Sequence, residues 1–222
     1  MQKATAIGEH AIRITAGSLS LDGNLAVPEN AHGIVLFAHG SGSSRHSPRN
    51  RFVARSLQER ELATLLMDLL TAEEEALDAY TGHLRFDIGL LAQRLVAATD
   101  WVAANPETHD LPIGYFGAST GAAAALAAAV ERPDLVRAIV SRGGRPDLAG
   151  PALARVRAPT LLIVGGADYQ VIRMNEEALR ELRVESKLAI IPGATHLFEE
   201  PGALEQVARL SGEWFEKYLK AD

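Results

Sequence analysis

Ile113-Gly114-Tyr115-Phe116-Gly117-Ala118-Ser119-Thr120-Gly121-Ala122-Ala123-Ala124-Ala125-Leu126 runs from a short apolar stretch, through a glycine-bracketed serine, into an alanine-rich block. The apolar stretch reads as a strand covered on both faces of a parallel sheet, and the alanines after the serine are strong helix formers. The order is strand, sharp turn, helix. A serine at such a turn is held above the end of the sheet in a strained conformation, and the flanking glycines let helix and strand pack closely beneath it. The unpaired amides that open the helix point outward, where they can stabilise an oxyanion. The pattern Gly-x-Ser-x-Gly alone is weak: with Gly and Ser each near ~7% of residues, it arises by chance in about one chain of fifteen at this length. The strand before it and the helix after it carry the reading. The competing reading of Ser119 is a helix N-cap in a glycine-rich turn.

Outward from that turn the same alternation repeats. Apolar runs closed by turn residues lie at 34–38, 62–66, 138–141, 160–164 and 188–191, in addition to 113–116. Helix-like stretches, with apolar positions recurring at three and four, lie at 51–60, 88–104, 120–130, 174–182 and 204–219. Strands alternating with helices predict a doubly wound α/β domain whose ligand groups sit in loops at the carboxyl ends of the strands. The N-terminus breaks the pattern. Ile12-Arg13-Ile14, Leu19-Ser20-Leu21 and Asn24-Leu25-Ala26-Val27 alternate apolar with polar around Asp22-Gly23, which predicts an antiparallel hairpin with a glycine turn. The acidic stretch 71–78 reads as a solvated loop or helix start. With no Pro/Ser linker, composition shift or internal repeat, residues 1–222 read as one domain.

A serine hydroxyl is a poor nucleophile near neutral pH and needs a histidine base whose tautomer a carboxylate fixes. Gly165-Gly166-Ala167-Asp168 follows the run at 160–164, and Gly193-Ala194-Thr195-His196 follows the run at 188–191. Asp168 and His196 therefore fall in successive strand-end loops, giving the chain order Ser119, Asp168, His196. His39-Gly40-Ser41-Gly42 follows the run at 34–38; its Ser41 amide is the candidate second oxyanion donor beside that of Thr120, and His39 is a candidate substrate contact. The same loop read as a nucleotide cradle lacks its third glycine, because Arg45 stands there, and no Gly-Lys-Ser/Thr follows. Arg142 and Arg145, in Ser141-Arg142-Gly143-Gly144-Arg145-Pro146, are candidates to pair with a substrate carboxylate, against the alternative of solvated or structurally paired arginines.

Composition narrows the function classes. Zero cysteines remove disulfides, thiolate zinc sites, iron–sulfur clusters and a thiol nucleophile. The net charge of −6, without a basic tract, gives no reason to bind nucleic acid. No run approaches the ~20 apolar residues of a membrane helix, and the first five residues lack a signal pattern, so the expected setting is cytoplasmic, away from membranes. The histidines show no metal-ligand spacing, so no metal is expected, and oligomeric state is left open.

These motifs together resemble those of the α/β-hydrolases, most similarly the small, lidless, dienelactone-hydrolase-like branch, over at least residues 34–198. The resemblance implies a mostly parallel eight-stranded sheet, a Ser-Asp-His triad and ester hydrolysis without a cofactor. Dienelactone hydrolases proper carry a cysteine nucleophile, where this chain has Ser119. The span 142–158 is long enough for one crossover helix and too short for a cap domain. The expected activity is that of a carboxylesterase on small, short-acyl esters. Alternatives are acyl transfer or amide hydrolysis on the same triad, or a catalytically silent binding protein on the same fold.

Overall fold

The computed structural model describes residues 8–220, and the first five residues, whose sequence lacks a signal pattern, lie outside them. Eight strands form one sheet in the order β1-β2-β4-β3-β5-β6-β7-β8. They are β1 (Glu9–Ala16), β2 (Leu19–Ala26), β3 (Ile34–Ala38), β4 (Ala63–Met67), β5 (Ile113–Ala118), β6 (Val136–Arg142), β7 (Thr160–Gly165) and β8 (Ser186–Ile191). The six strands from β3 onward run parallel, and β2 pairs antiparallel with both β1 and β4. This is the α/β-hydrolase fold without a cap.

Six helices flank the sheet: α1 (Pro48–Gln58), α2 (Ala72–Thr81), α3 (Ile88–Ala104), α4 (Thr120–Glu131), α5 (Tyr169–Glu181) and α6 (Ala203–Tyr218). Alternate residues of the buried strands serve opposite cores, as strand geometry requires, with one break in β6 where the register against β5 shifts between Val136 and Ala138. Ile34, Leu36 and Ala38 of β3 pack on the side of α3 and α4, while Val35 and Phe37 pack on the side of α1 and α6.

Three expectations are corrected in detail. The hairpin turn lies at Gly17-Ser18, not Asp22-Gly23. Gly17 takes the left-handed backbone (φ 64°) that a tight turn demands, whereas Asp22 and Gly23 lie inside β2 opposite Arg13 and Ile12. Gly23 serves packing there, since a methyl group at that position would come within 3.1 Å of Leu65 Cδ1. The crossover after β6 contains no α-helix: Pro146–Arg155 forms 3-10 turns interrupted at Gly150 (φ 51°, ψ −130°), and Pro151 beside it has no N–H to continue a helix. Helices α1 and α5 start earlier than the apolar periodicity suggests. Ser47, whose side chain accepts from Asn50 N–H, and Pro48 begin α1; Asp168 precedes α5. The acidic stretch does start a helix, α2, where Thr71 and Glu74 cap each other reciprocally.

Order reverses at β3, which has β4 on one side and β5 on the other, so a crevice opens where the loops after β3 and β5 part. Helix α4 begins in that crevice. A methyl group on Gly121 would run into the carbonyl oxygens of Ala38 and His39. Backbone oxygens cannot step aside as a flexible side chain would. We expect Gly121→Ala to lose at least about 3 kcal/mol in urea unfolding, at the upper end of overpacking costs, or to fail to fold. Gly8→Ala, where nothing lies within 4 Å, should change stability by less than about 0.5 kcal/mol.

Candidate active site

Ser119 joins β5 to α4 with φ 51° and ψ −121°, a region that side chains rarely occupy. Such strain costs on the order of 1–3 kcal/mol and persists only where surroundings enforce it. Here the Ser119 N–H donates to Arg142 O (3.2 Å) and Ser119 O accepts from Arg145 N–H (3.1 Å), so the turn is pinned to the loop after β6. The side chain caps no helix amide, which leaves the hydroxyl unused by α4.

Asp168 precedes α5 at a position where aspartate ordinarily caps the helix, yet its side chain makes no cap bond. It turns instead to His196, with Oδ2 2.7 Å from Nδ1. A carboxylate can only accept, so Nδ1 carries a proton; when the ring holds no second proton, Nε2 keeps its lone pair. The loops bearing these residues are tied together by Gly166 N–H to Ile191 O (2.8 Å) and Ala167 N–H to Ala194 O (2.9 Å). The imidazole lies over Gly143: a methyl group there would approach His196 Cε1 to 3.5 Å. Gly143 belongs to the same loop that grips Ser119 from both sides. The structure thus gathers Ser119, Asp168 and His196 around one loop, without a direct hydrogen bond between Ser119 and His196 among the described residues.

In the loop after β3, both ring nitrogens of buried His39 are engaged. Nε2 accepts from Leu69 N–H (3.1 Å) and Nδ1 faces Gly40 O (2.9 Å), so the ring braces the loop and has no free polar atom for a substrate. The Ser41 N–H donates to Thr120 Oγ1 (2.9 Å). Beside this loop lies a cavity of about 470 Å³ whose wall includes Ser41 and Thr120, but neither Ser119 nor His196.

Neither arginine read as a carboxylate partner reaches that cavity. Arg145 is tied to Asp147 (Nη2 to Oδ2, 2.7 Å) two residues on. Arg142 is buried: its Nη2 donates to Asn50 Oδ1 at 3.4 Å, its guanidinium carbon lies 5.9 Å from the Phe198 ring centroid, and Nε has no partner among the described residues. Burial, with the like charge of Arg49 adding to it, pushes Arg142 down to about 10. The arginines that do line the cavity are Arg49 and Arg85. Sequence reasoning passed over both, although Arg49 follows the Gly/Ser loop closely and would have been found by asking which charges crowd that strand end. Arg85 depends on a fold-back: Asp78, almost wholly buried, accepts from Leu84 N–H (2.6 Å), Arg85 N–H (3.3 Å) and Arg85 Nε (2.6 Å).

Residues 21–218 match the Dienelactone hydrolase family. The chain belongs to that family. A dienelactone hydrolase from Anabaena variabilis is 63% identical across 97% of this chain and all of that one, with a TM-score of 0.96. An α/β serine hydrolase without a lid, from Xanthomonas campestris, superposes with a TM-score of 0.77 over all of both chains at 20% identity, a likeness of fold alone. The "Putative phosphoribosyl transferase" of Mycobacterium tuberculosis (strain H37Rv) is 57% identical over 208 residues, which are 94% of this chain and 46% of that protein. The chain therefore spans about half the length of the curated relatives it matches.

In this member of the family the cavity wall contributed by α2 is held by charge. Asp78 is the buried residue of α2, and Glu74 adds an ion pair to Arg94 of α3 (2.7 Å). Burial pushes the Asp78 carboxyl up, but the Arg85 guanidinium and the Leu84 and Arg85 amides outweigh it, so its pKa lies below the usual value. A carboxyl lowered on folding stabilises the fold above its unfolded pKa of ~3.9, and that contribution is lost as pH falls through the folded value. We expect Asp78→Asn to be less stable than wild type at pH 7, and the gap in urea midpoints to narrow as the pH is taken below the unfolded carboxyl value into acid. A gap unchanged in acid would show that charge does not hold the wall.

Proposed function

We propose that this chain is a serine hydrolase acting on small carboxylic esters with short acyl groups, its 222 residues working as one domain. The observation that carries this reading is the Asp168 carboxylate, drawn away from a helix start it would ordinarily cap and bonded to His196 Nδ1 at 2.7 Å. In the reaction, His196 Nε2 takes the proton from Ser119 Oγ as that oxygen bonds to the ester carbon. Asp168 holds the ring and stabilises the imidazolium that forms. Collapse of the tetrahedral intermediate breaks the bond to the alcohol oxygen, which leaves with the proton from His196. Water, deprotonated by His196, then releases the acid and restores Ser119. Oxyanion stabilisation comes from the end of α4, where the Thr120 N–H has no acceptor among the described residues.

Ser119→Ala and His196→Ala should each lower kcat on p-nitrophenyl acetate by at least about 10³-fold while circular dichroism stays unchanged, and the double variant should lose little more, because such groups act as a unit. Asp168→Asn should be impaired by up to about 10⁴-fold through the wrong histidine tautomer. A fluorophosphonate should label wild type and not Ser119→Ala. Wild-type turnover in either alanine variant would refute the assignment.

The cavity supports the choice of short acyl groups. Leu69, Leu70 and Leu91 give it an apolar part, but Glu75, Asp78 and Arg85 share the wall, and no cap closes over it. Each buried methylene is worth about 0.8 kcal/mol, and that gain ends where an extending chain meets charge and solvent. kcat/KM across p-nitrophenyl esters should peak between acetate and butyrate. A rate still climbing at decanoate would reveal an acyl channel and overturn this part.

A further inference from the structure

The hydroxyl of Thr120 is placed unlike the other buried helix hydroxyls. Thr99 donates its proton to Leu95 O (2.8 Å) and Ser211 to Val207 O (2.7 Å), the usual bond to the carbonyl four residues back. Thr120 is the first residue of α4, is 3% exposed and lines the cavity beside the Ser119 turn. Its Oγ1 accepts from Ser41 N–H at 2.9 Å, and no acceptor for its own proton exists among the described residues. A hydroxyl has one proton to give and lone pairs to receive, so a filled acceptor side leaves the proton free for a neighbour. The bond it receives also makes it a better donor.

The amide of the same residue is likewise unpaired, as the first in the helix must be. Two donors of one residue, N–H and O–H, thus stand unsatisfied at the residue following Ser119. The Ser41 amide is occupied: to reach an oxyanion it would have to release the Thr120 hydroxyl.

We propose that the Thr120 hydroxyl is itself an oxyanion donor, and that Ser41 acts through it. In this arrangement Thr120 is a catalytic residue twice over, giving its N–H and its O–H to the oxygen of the tetrahedral intermediate. Ser41 is a positioning residue whose N–H aims and polarises the hydroxyl. This replaces direct donation by the Ser41 amide, and it rests on the serine-hydrolase reading. A donor that meets developing negative charge acts mainly in the transition state, so its removal lowers kcat more than it changes KM.

The test compares Thr120→Val, which keeps the branched shape without the hydroxyl, with Thr120→Ser, which keeps the hydroxyl. On p-nitrophenyl acetate, Thr120→Val should lose about 10²-fold or more in kcat with KM within about threefold, as for deletion of one oxyanion donor. Thr120→Ser should recover activity to within about fivefold of wild type. A trifluoromethyl ketone, which forms an oxyanionic adduct with the serine, should lose affinity for Thr120→Val in parallel with kcat/KM. A structural role alone would leave that parallel absent. If the Ser41 amide is the direct donor and the hydroxyl only a placeholder, Thr120→Val frees it and turnover is unchanged or faster, which overturns the proposal. Should Thr120→Val not fold, Thr120→Ala against Thr120→Ser decides by the same criteria. A wild-type rate in Thr120→Val, with Ser119→Ala inactive, removes this inference alone. Turnover surviving in Ser119→Ala removes the reading beneath it.

Discussion

The carboxyl edge of the sheet is organised by one close approach: the backbone of Gly121 resting on the carbonyls of Ala38 and His39. With a side chain at that point, α4 would start farther from β3, and the loop after β3 would lie beyond the reach of Thr120. The approach leaves Ser119 no relaxed way to turn, hence its positive φ. Packing of the next helix offsets the strain, since α4 buries nine of its twelve residues, nearly all of them small, between the sheet and its neighbours. Small side chains matter twice here: they favour the helix, and they let it lie close enough to hold the turn.

This explains why the core of the candidate site could be proposed from the chain. A turn that only glycines can flank, between a strand run and a helix former, has few solutions, and two further strand ends carry Asp168 and His196 in loops short enough to leave little freedom. The parallel strands were legible for the same reason, as apolar runs closed by turn residues. The features that escaped depend on neighbours across the sheet. Asp22-Gly23 carries an ordinary turn signal, and only its pairing with Ile12 and Arg13 shows that the space over Leu65 demands the glycine. Arg142 and Arg145 lie at the expected strand end, but strand position does not say which way a long side chain leaves the loop. One goes inward against Phe198 and the other sideways to Asp147. The hydrogen bond from Ser41 to Thr120 joins positions far apart in the chain and has no local signature.

Two buried charges near the site show contrasting solutions to desolvation. Asp78 is surrounded by donors from its own fold-back, so its charge is favoured despite burial. Arg142 has a single long hydrogen bond and an aromatic face, with another arginine nearby, and its charge is disfavoured. Satisfying donors convert a buried charge into a clamp; their scarcity leaves it weakly held.

The position of His196 also bears on the order of assembly. Its loop follows β8, which among the described residues forms one edge of the sheet and pairs with β7 alone, while Ser119 precedes β6, β7 and β8 in the sequence. During synthesis the strained turn can form against β3 and β6 well before β8 leaves the ribosome. Until β8 docks, the turn at Ser119 has its geometry while the loop carrying His196 is still unplaced. On the serine-hydrolase reading proposed above, the hydroxyl of the nascent chain gains its base, and with it reactivity, only when β8 joins the sheet.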